Sequence, residues 1–352
     1  MNKVSSHEDR TRRILVRLDA NHRIGLAHAI RVAGILSLLE APREITVAGD
    51  GELLAEFFPG AYRYPAALDD RHCFPALAAE LQPDLVVVDH PHLGEGFWRA
   101  LRASIGDVPV VAVDDFGGDI DADVVINGTV LDEYHHYPCL GSDARLLAGG
   151  RYSLLRLDFG ENRWRNPTDT AVTIAVGSGD RAREWAHLLA SGVIDMRRWG
   201  RVRMIVGRAF PDMARLREEC AGSGIALQSG LSGREMAQAM AEASVVLMTG
   251  GMVVYEALAV GVPAVVFPQL DNLIPEARWF AARNCIVDLG FERGMDARTI
   301  GDAVAVLLAD PARRAAMSRA QQEVIDGQGM RRAAVEIDCL LQSGRGSQTQ
   351  GA

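Results

Sequence analysis

One feature constrains this chain more than any other. Short, nearly continuous apolar runs alternate with amphipathic segments, twice over, on either side of a polar stretch. In the first half the runs are Ile14–Leu18, Glu44–Ala48, Leu85–Asp89, Val110–Val113 and Asp123–Asn127, punctuated by Pro83, Pro91 and Pro109, with a helix read over Ala27–Leu39. Runs that are apolar at almost every position suit parallel strands covered on both faces. Strand–helix alternation builds a doubly wound sheet. The pattern restarts with Ala171–Val176, Val202–Val206, Ile225–Gln228, Val245–Met248, Ala264–Phe267 and Cys285–Val287, and then gives three successive helices over 296–308, 311–324 and 330–341.

The expected organisation follows from this. Residues 13–158 form an N-terminal Rossmann-like domain, 159–170 a linker, 171–342 a second Rossmann-like domain with terminal helices, and 343–352 a disordered tail. The two α/β domains are expected to face one another across a cleft. Composition fits: 352 residues, 48% of them hydrophobic, supply cores for about two domains of ordinary size. Thirty-seven Lys and Arg against 46 Asp and Glu leave a formal charge of −9, which argues against a sequence-independent grip on nucleic acid or an anionic membrane. Five scattered cysteines without a Cys-x-x-Cys pair look like reduced thiols, and the first thirteen residues hold no apolar signal-type run. No apolar run approaches the roughly 18 residues that span a bilayer. A cytoplasmic monomer is expected.

In open α/β sheets, ligands bind beyond the carboxyl ends of the strands. Four segments fall at such positions. Arg17-Leu18-Asp19 runs through Gly25 into a helix that begins near His28, a candidate general base near neutral pH or a histidine that caps a helix start. Gly177-Ser178-Gly179 follows the first strand of the second half, as a phosphate cradle or a plain tight turn. Thr249-Gly250-Gly251 joins a buried strand to a helix carrying Glu256. Its amides and hydroxyl suit a diphosphate and the acid suits a ribose diol, unless Glu256 is a solvated helix residue. Asp271-Asn272 follows the next strand, at a rim or as a cap.

Together these residues resemble a family. Arg17-x-Asp19 with Ile24-Gly25-Leu26-Ala27-His28-Ala29-Ile30-Arg31 is similar to the N-terminal signature Arg-x-Asp…Ile-Gly-x-Gly-His-x-x-Arg of the pseudaminic-acid-pathway UDP-sugar hydrolases and the related spore-coat polysaccharide proteins. Asp89-His90, Asp114-Asp115, Gly149-Gly150-Arg151-Tyr152-Ser153-Leu154-Leu155-Arg156 with Phe159, Gly177-Ser178-Gly179-Asp180, Gly250-Gly251 with Glu256, and Asp271-Asn272 follow in the family's order, over roughly residues 13–290.

The resemblance implies a glycosyltransferase-B (GT-B) fold and release of UDP from UDP-2,4-diacetamido-2,4,6-trideoxy-β-L-altrose by water, with inversion, in nonulosonic (pseudaminic) acid biosynthesis. It implies His28 as the base. Arg17, Asp19, Gly25, Arg31, Asp89, His90, Asp115, Tyr152 and Arg156 would lie on the sugar side. Gly177, Ser178, Gly179, Thr249, Gly250, Gly251, Glu256, Asp271 and Asn272 would lie on the UDP side. No cofactor and no metal are expected, since the spacing of His90, His92, His135, His136 and Cys139 matches no zinc motif. The departures are Ala27 for the glycine before the histidine, Pro91 for an aromatic residue, and Leu273 for the second residue of Asn-Gln. The alternative reading is a GT-B glycosyltransferase that modifies flagellin or surface glycans. A sugar-nucleotide-binding protein without turnover is a third.

Overall fold

The computed structural model describes residues 10–20, 26–51, 53–64, 71–91, 93–176, 180–191, 194, 196–207, 210, 212–291 and 297–343. Two α/β units result. One is built from the chain up to Leu154 with the segment from Gly329 onward, the other from Leu155–Gln328.

The first unit holds a seven-stranded sheet: β1 (Arg12–Leu18), β2 (Arg43–Ala48), β3 (Tyr62–Tyr64), β4 (Leu85–Asp89), β5 (Val110–Val113), β6 (Val124–Asn127) and β7 (Arg145–Ala148), in the order β3-β2-β1-β4-β5-β6-β7. Every pairing is parallel. Its helices are α1 (Ala27–Ser37), α2 (Leu54–Phe57), α3 (Cys73–Leu81) and α4 (Glu95–Ile105). The central strands β4, β5 and β6 are buried at every residue, as their unbroken apolar character requires. The sequence reading missed β3 and β7. These are the sheet edges, where a strand needs cover on one flank only and its apolar run is correspondingly short.

The second unit opens with α5 (Leu157–Glu161), then β8 (Ala171–Val176), α6 (Asp180–Ala190), β9 (Arg201–Val206), α7 (Met213–Ser223), β10 (Ala226–Ser229), α8 (Gly233–Ala241), β11 (Val245–Met248), α9 (Met252–Val260), β12 (Ala264–Val266), α10 (Ile274–Ala282), β13 (Val287–Asp288), α11 (Ala297–Ala309) and α12 (Pro311–Val324). The six parallel strands run β10-β9-β8-β11-β12-β13. Its core centres on fully buried Trp199, Phe267, Ile174, Leu247 and Val265.

Two limits differ from the sequence expectation. Residues 159–170 lie inside the second unit. Phe159 is fully buried, Trp164 is buried and donates from its indole Nε1 to the Ala243 carbonyl at 2.7 Å, and the Trp164 amide donates to Val260 O at 3.0 Å. A Cβ on Gly160 would stand 2.5 Å from the Gly327 carbonyl oxygen, so the two backbones cross in contact. The polar composition that suggests a linker is compatible with all of these backbone anchors.

The last helix, α13 (Gly329–Ser343), belongs to the first unit. It buries Met330, Ala333, Ala334, Ile337 and Leu341, brings Met330 against Gly34 of α1, and pairs Glu336 with Arg145. An amphipathic period shows that a helix has an apolar face. It does not show which sheet that face covers.

Candidate functional site

Each sheet reverses its strand order once beside its first strand, between β1 and β4 in one unit and between β8 and β11 in the other. Such switch points leave a crevice beyond the strand ends. The candidate residues collect at both.

In the first unit, Leu18 pairs with Asp89, so the residues that follow, Asp19 and His90, emerge side by side. His90 Nε2 lies 3.0 Å from Asp19 Oδ2. Arg17 donates to Asp19 Oδ1 at 2.5 Å and the Asp50 amide donates to the same oxygen at 2.8 Å. Burial alone would raise the Asp19 carboxyl. The hydrogen bonds from His90, Arg17 and the Asp50 amide outweigh it and hold the group far below the usual carboxylate range.

Beside this set, α1 carries His28 and Arg31 three residues apart, hence on one face. His28 Nδ1 stands 2.7 Å from Asp89 Oδ1. Arg31 grips the same carboxylate bidentately, Nε to Oδ2 and Nη2 to Oδ1, both at 2.7 Å. Its Nη1 meets both oxygens of Asp115 at 2.8 and 2.9 Å. Asp89 is 1% exposed. Desolvation would raise its pKa, but the Arg31 charge and the bonds from Arg31 and His28 hold it at about 2. An ionised carboxylate only accepts, so we assign the Nδ1 proton of His28 to this bond, which leaves Nε2 with a lone pair. The result is a carboxylate–imidazole pair of the kind that fixes the tautomer of a general base. Neighbouring Asp114 does different work: one oxygen accepts from the Phe116 and Gly117 amides and from the Tyr137 hydroxyl, shaping the turn after β5. A cavity of about 90 Å³ lined by His90, Leu93, Trp98 and Phe116 adjoins these strand ends.

In the second unit a cavity of about 370 Å³ opens at the ends of β8, β9, β10 and β11, within the size range of small-ligand sites. Thr249, Gly250, Glu256 and Arg156 line it. Gly250 and Gly251 have φ of 98° and 81°, in the region that favours glycine, and they deliver the chain into α9. That helix has no side-chain cap and no acidic residue in its first turn; the Val254 amide donates to Gly251 O at 2.9 Å, and no side chain caps the amides ahead of it. Glu256 accepts a long bond from Arg156 Nη2 at 3.4 Å, and its side chain is 17% exposed. Burial pushes its carboxyl up to about 7 against the pull of Arg156.

Arg156 therefore stands at the second-unit cavity with Glu256, whereas the resemblance put it on the sugar side. Tyr152 is half-buried in a 3₁₀ turn of the first unit. Asp271 and Asn272 are exposed in a 3₁₀ turn and do not line the cavity. Gly25, Gly177, Ser178 and Gly179 lie outside the described residues. Gly207, Gly230 and Met236 line the cavity and were missed. The two glycines directly follow β9 and β10, so the strand-end rule, applied to every strand, finds them. Among the described residues no group of three or more His, Cys, Asp or Glu side chains is placed to hold a metal ion, and no helix is long and apolar enough to cross a membrane.

No protein-family model matches the chain. Its sequence is 25% identical over 108 residues to the spore coat polysaccharide biosynthesis protein SpsG of Bacillus subtilis (strain 168), a match covering 31% of each chain. Among solved structures it is similar to Acinetobacter baumannii MurG (TM-score 0.64, 14% identity, 94% of this chain and 99% of that one). It is also similar to the calicheamicin glycosyltransferase CalG4 (0.62, 18%, 95% and 99%) and to a UDP-GlcNAc 2-epimerase from Neisseria meningitidis bound to UDP-GlcNAc (0.61, 12%, 94% and 100%). The fold is the GT-B type of glycosyltransferases and these epimerases.

Proposed function

We propose that this protein is a UDP-sugar hydrolase that releases UDP from a UDP-2,4-diacetamido-2,4,6-trideoxyhexose, as in nonulosonic (pseudaminic) acid biosynthesis. The observation that carries the proposal is the His28–Asp89 pair, 2.7 Å apart at the switch point of the first sheet. His28 Nε2 takes a proton from water, and the water oxygen bonds to the anomeric carbon. The bond from that carbon to the diphosphate oxygen breaks, and its electron pair leaves with UDP. Attack from the face opposite UDP inverts the anomeric centre. The cavity lined by Thr249, Gly250 and Glu256 takes the nucleotide, with the amides at the start of α9 receiving the diphosphate charge. The partial likeness to a polysaccharide-biosynthesis protein and the GT-B fold support a nucleotide-sugar substrate.

A glycosyltransferase would use the same base on an acceptor hydroxyl. It is favoured by Leu273, whose side chain lies 3.1 Å from where a Cβ on Gly250 would stand and puts an apolar wall where the family has an amide. Incubation of the purified protein with UDP-sugars and no acceptor, followed by mass spectrometry, separates the two. Free UDP and free sugar, lost in His28→Ala, are expected. Turnover only when an acceptor is added would replace the hydrolase with the transferase.

A further inference from the structure

Arg31 is engaged on every side. Nε and Nη2 are on Asp89 and Nη1 is on Asp115, and Nη2 also lies 3.3 Å from His28 Nδ1. With all three nitrogens on carboxylates and the residue 7% exposed, this guanidinium is committed to the protein interior rather than to a sugar or a phosphate. To bind substrate it would have to leave two charge-assisted pairs, the stronger class of hydrogen bond.

We propose that Arg31 is a positioning residue: clamped between Asp89 and Asp115, it holds the Asp89 carboxylate against His28 and keeps the imidazole oriented as a base, without touching the substrate. This rests on the reading of His28 as the base. The charges explain the arrangement. Two carboxylates beside an imidazole favour the imidazolium, which cannot accept a proton. Arg31 cancels one of them and, by taking both oxygens of Asp89, leaves that group only the geometric task of receiving the Nδ1 proton. Arg31 also sits one helical turn from His28 on the same face, so one rigid element carries both the base and the group that orients its partner. Asp115, one-third exposed, is the counter-anchor that offsets part of the Arg31 charge. Among the described residues, the charged groups about His28 are Arg31 on α1, Asp89 at the end of β4 and Asp115 after β5, with the Arg17–Asp19–His90 set at the neighbouring strand ends.

Opposite signs are the signature. Asp115→Asn keeps a hydrogen-bond acceptor for Arg31 but removes a negative charge, and is expected to lower the His28 titration midpoint by about half a pH unit. Arg31→Met is expected to raise it by about one unit. Arg31→Lys, which keeps the charge and loses the fork, is expected to restore the midpoint while kcat stays reduced and KM stays near that of the parent. NMR titration of the imidazole resonances of the whole protein, with His28 assigned from His28→Ala, reads the midpoints without any substrate. It therefore decides the inference separately from whether a UDP-sugar is turned over. Should Arg31→Met fail to fold, Asp115→Asn carries the test. An unmoved midpoint in Asp115→Asn overturns the proposal. So does an Arg31→Lys protein whose defect is a raised KM at unchanged kcat.

Discussion

Two carboxylates in this protein sit in opposite electrostatic states, and each state follows from its nearest cation. Asp89 is enclosed but gripped by two Arg31 nitrogens at 2.7 Å, so it stays ionised. Glu256 has only a long contact to Arg156, and burial lifts it from 4.5 to about 7. A group whose folded pKa lies above its unfolded value stabilises the protein below the unfolded value, and that contribution is lost as pH rises through the folded one. At pH 8 the buried Glu256 charge is therefore a cost, of up to about 3 kcal/mol. Glu256→Gln, neutral at every pH, is expected to raise the urea midpoint at pH 8 and leave it unchanged at pH 4. It is also expected to weaken UDP binding at least tenfold by calorimetry, since one ligand acceptor becomes a poorer one. A variant that is no more stable at pH 8 would show that Arg156 compensates the charge fully.

At the scale of elements, the unforeseen features are close approaches of backbone. The Gly160–Gly327 crossing ties α5 to the turn that follows α12, at the foot of the second unit. Gly327 has φ of +69° and a Cβ there would lie 2.5 Å from Gly160 Cα. Gly327→Ala meets both penalties, an unfavourable backbone region and a clash with main chain that cannot rotate away, and is expected to cost about 2 kcal/mol or more. Thermal and urea unfolding measure this directly, and Gly222→Ala on α7, where a Cβ meets nothing within 4 Å, is the comparison. The crossing had no distinct signal in the sequence. A glycine in a short helix and a glycine between two helices are ordinary, and only the fold brings them into contact 167 residues apart.

For the molecule as a whole, the two units carry different pH dependences. Asp89 and Asp19 of the first unit have folded pKa values below their unfolded ones. Their contribution is present above pH 4 and lost as pH falls through the folded values, with Asp89 alone contributing about 2 kcal/mol. Between pH 5 and 2 the first unit is expected to lose more stability than the second, where protonation of Glu256 offsets the loss at Glu219, Glu235 and Glu242, whose carboxyls also lie below their ordinary values. Urea titrations at pH 7, 5 and 3, followed by peptide-resolved hydrogen exchange, track the units separately. Parallel loss in both would refute the assignment.

By itself the sequence determined the fold class and most of the strands, because a strand buried on both faces must be apolar at nearly every position, and such runs are visible without partners. It also put His28 near the start of the helix after the first strand, Asp89 at the end of a strand and Asp115 just after another, where ligands gather in such sheets. The tertiary structure decided what these residues do to one another. His28, Arg31, Asp89 and Asp115 span 88 positions of chain, and only the register of β1, β4 and β5 brings them within hydrogen-bond range. It also decided that α13 returns to the first unit and that Arg156 faces Glu256. An amphipathic helix and an arginine advertise what they need, an apolar surface and a carboxylate, but a chain offers many of each, and the choice among them is made by packing.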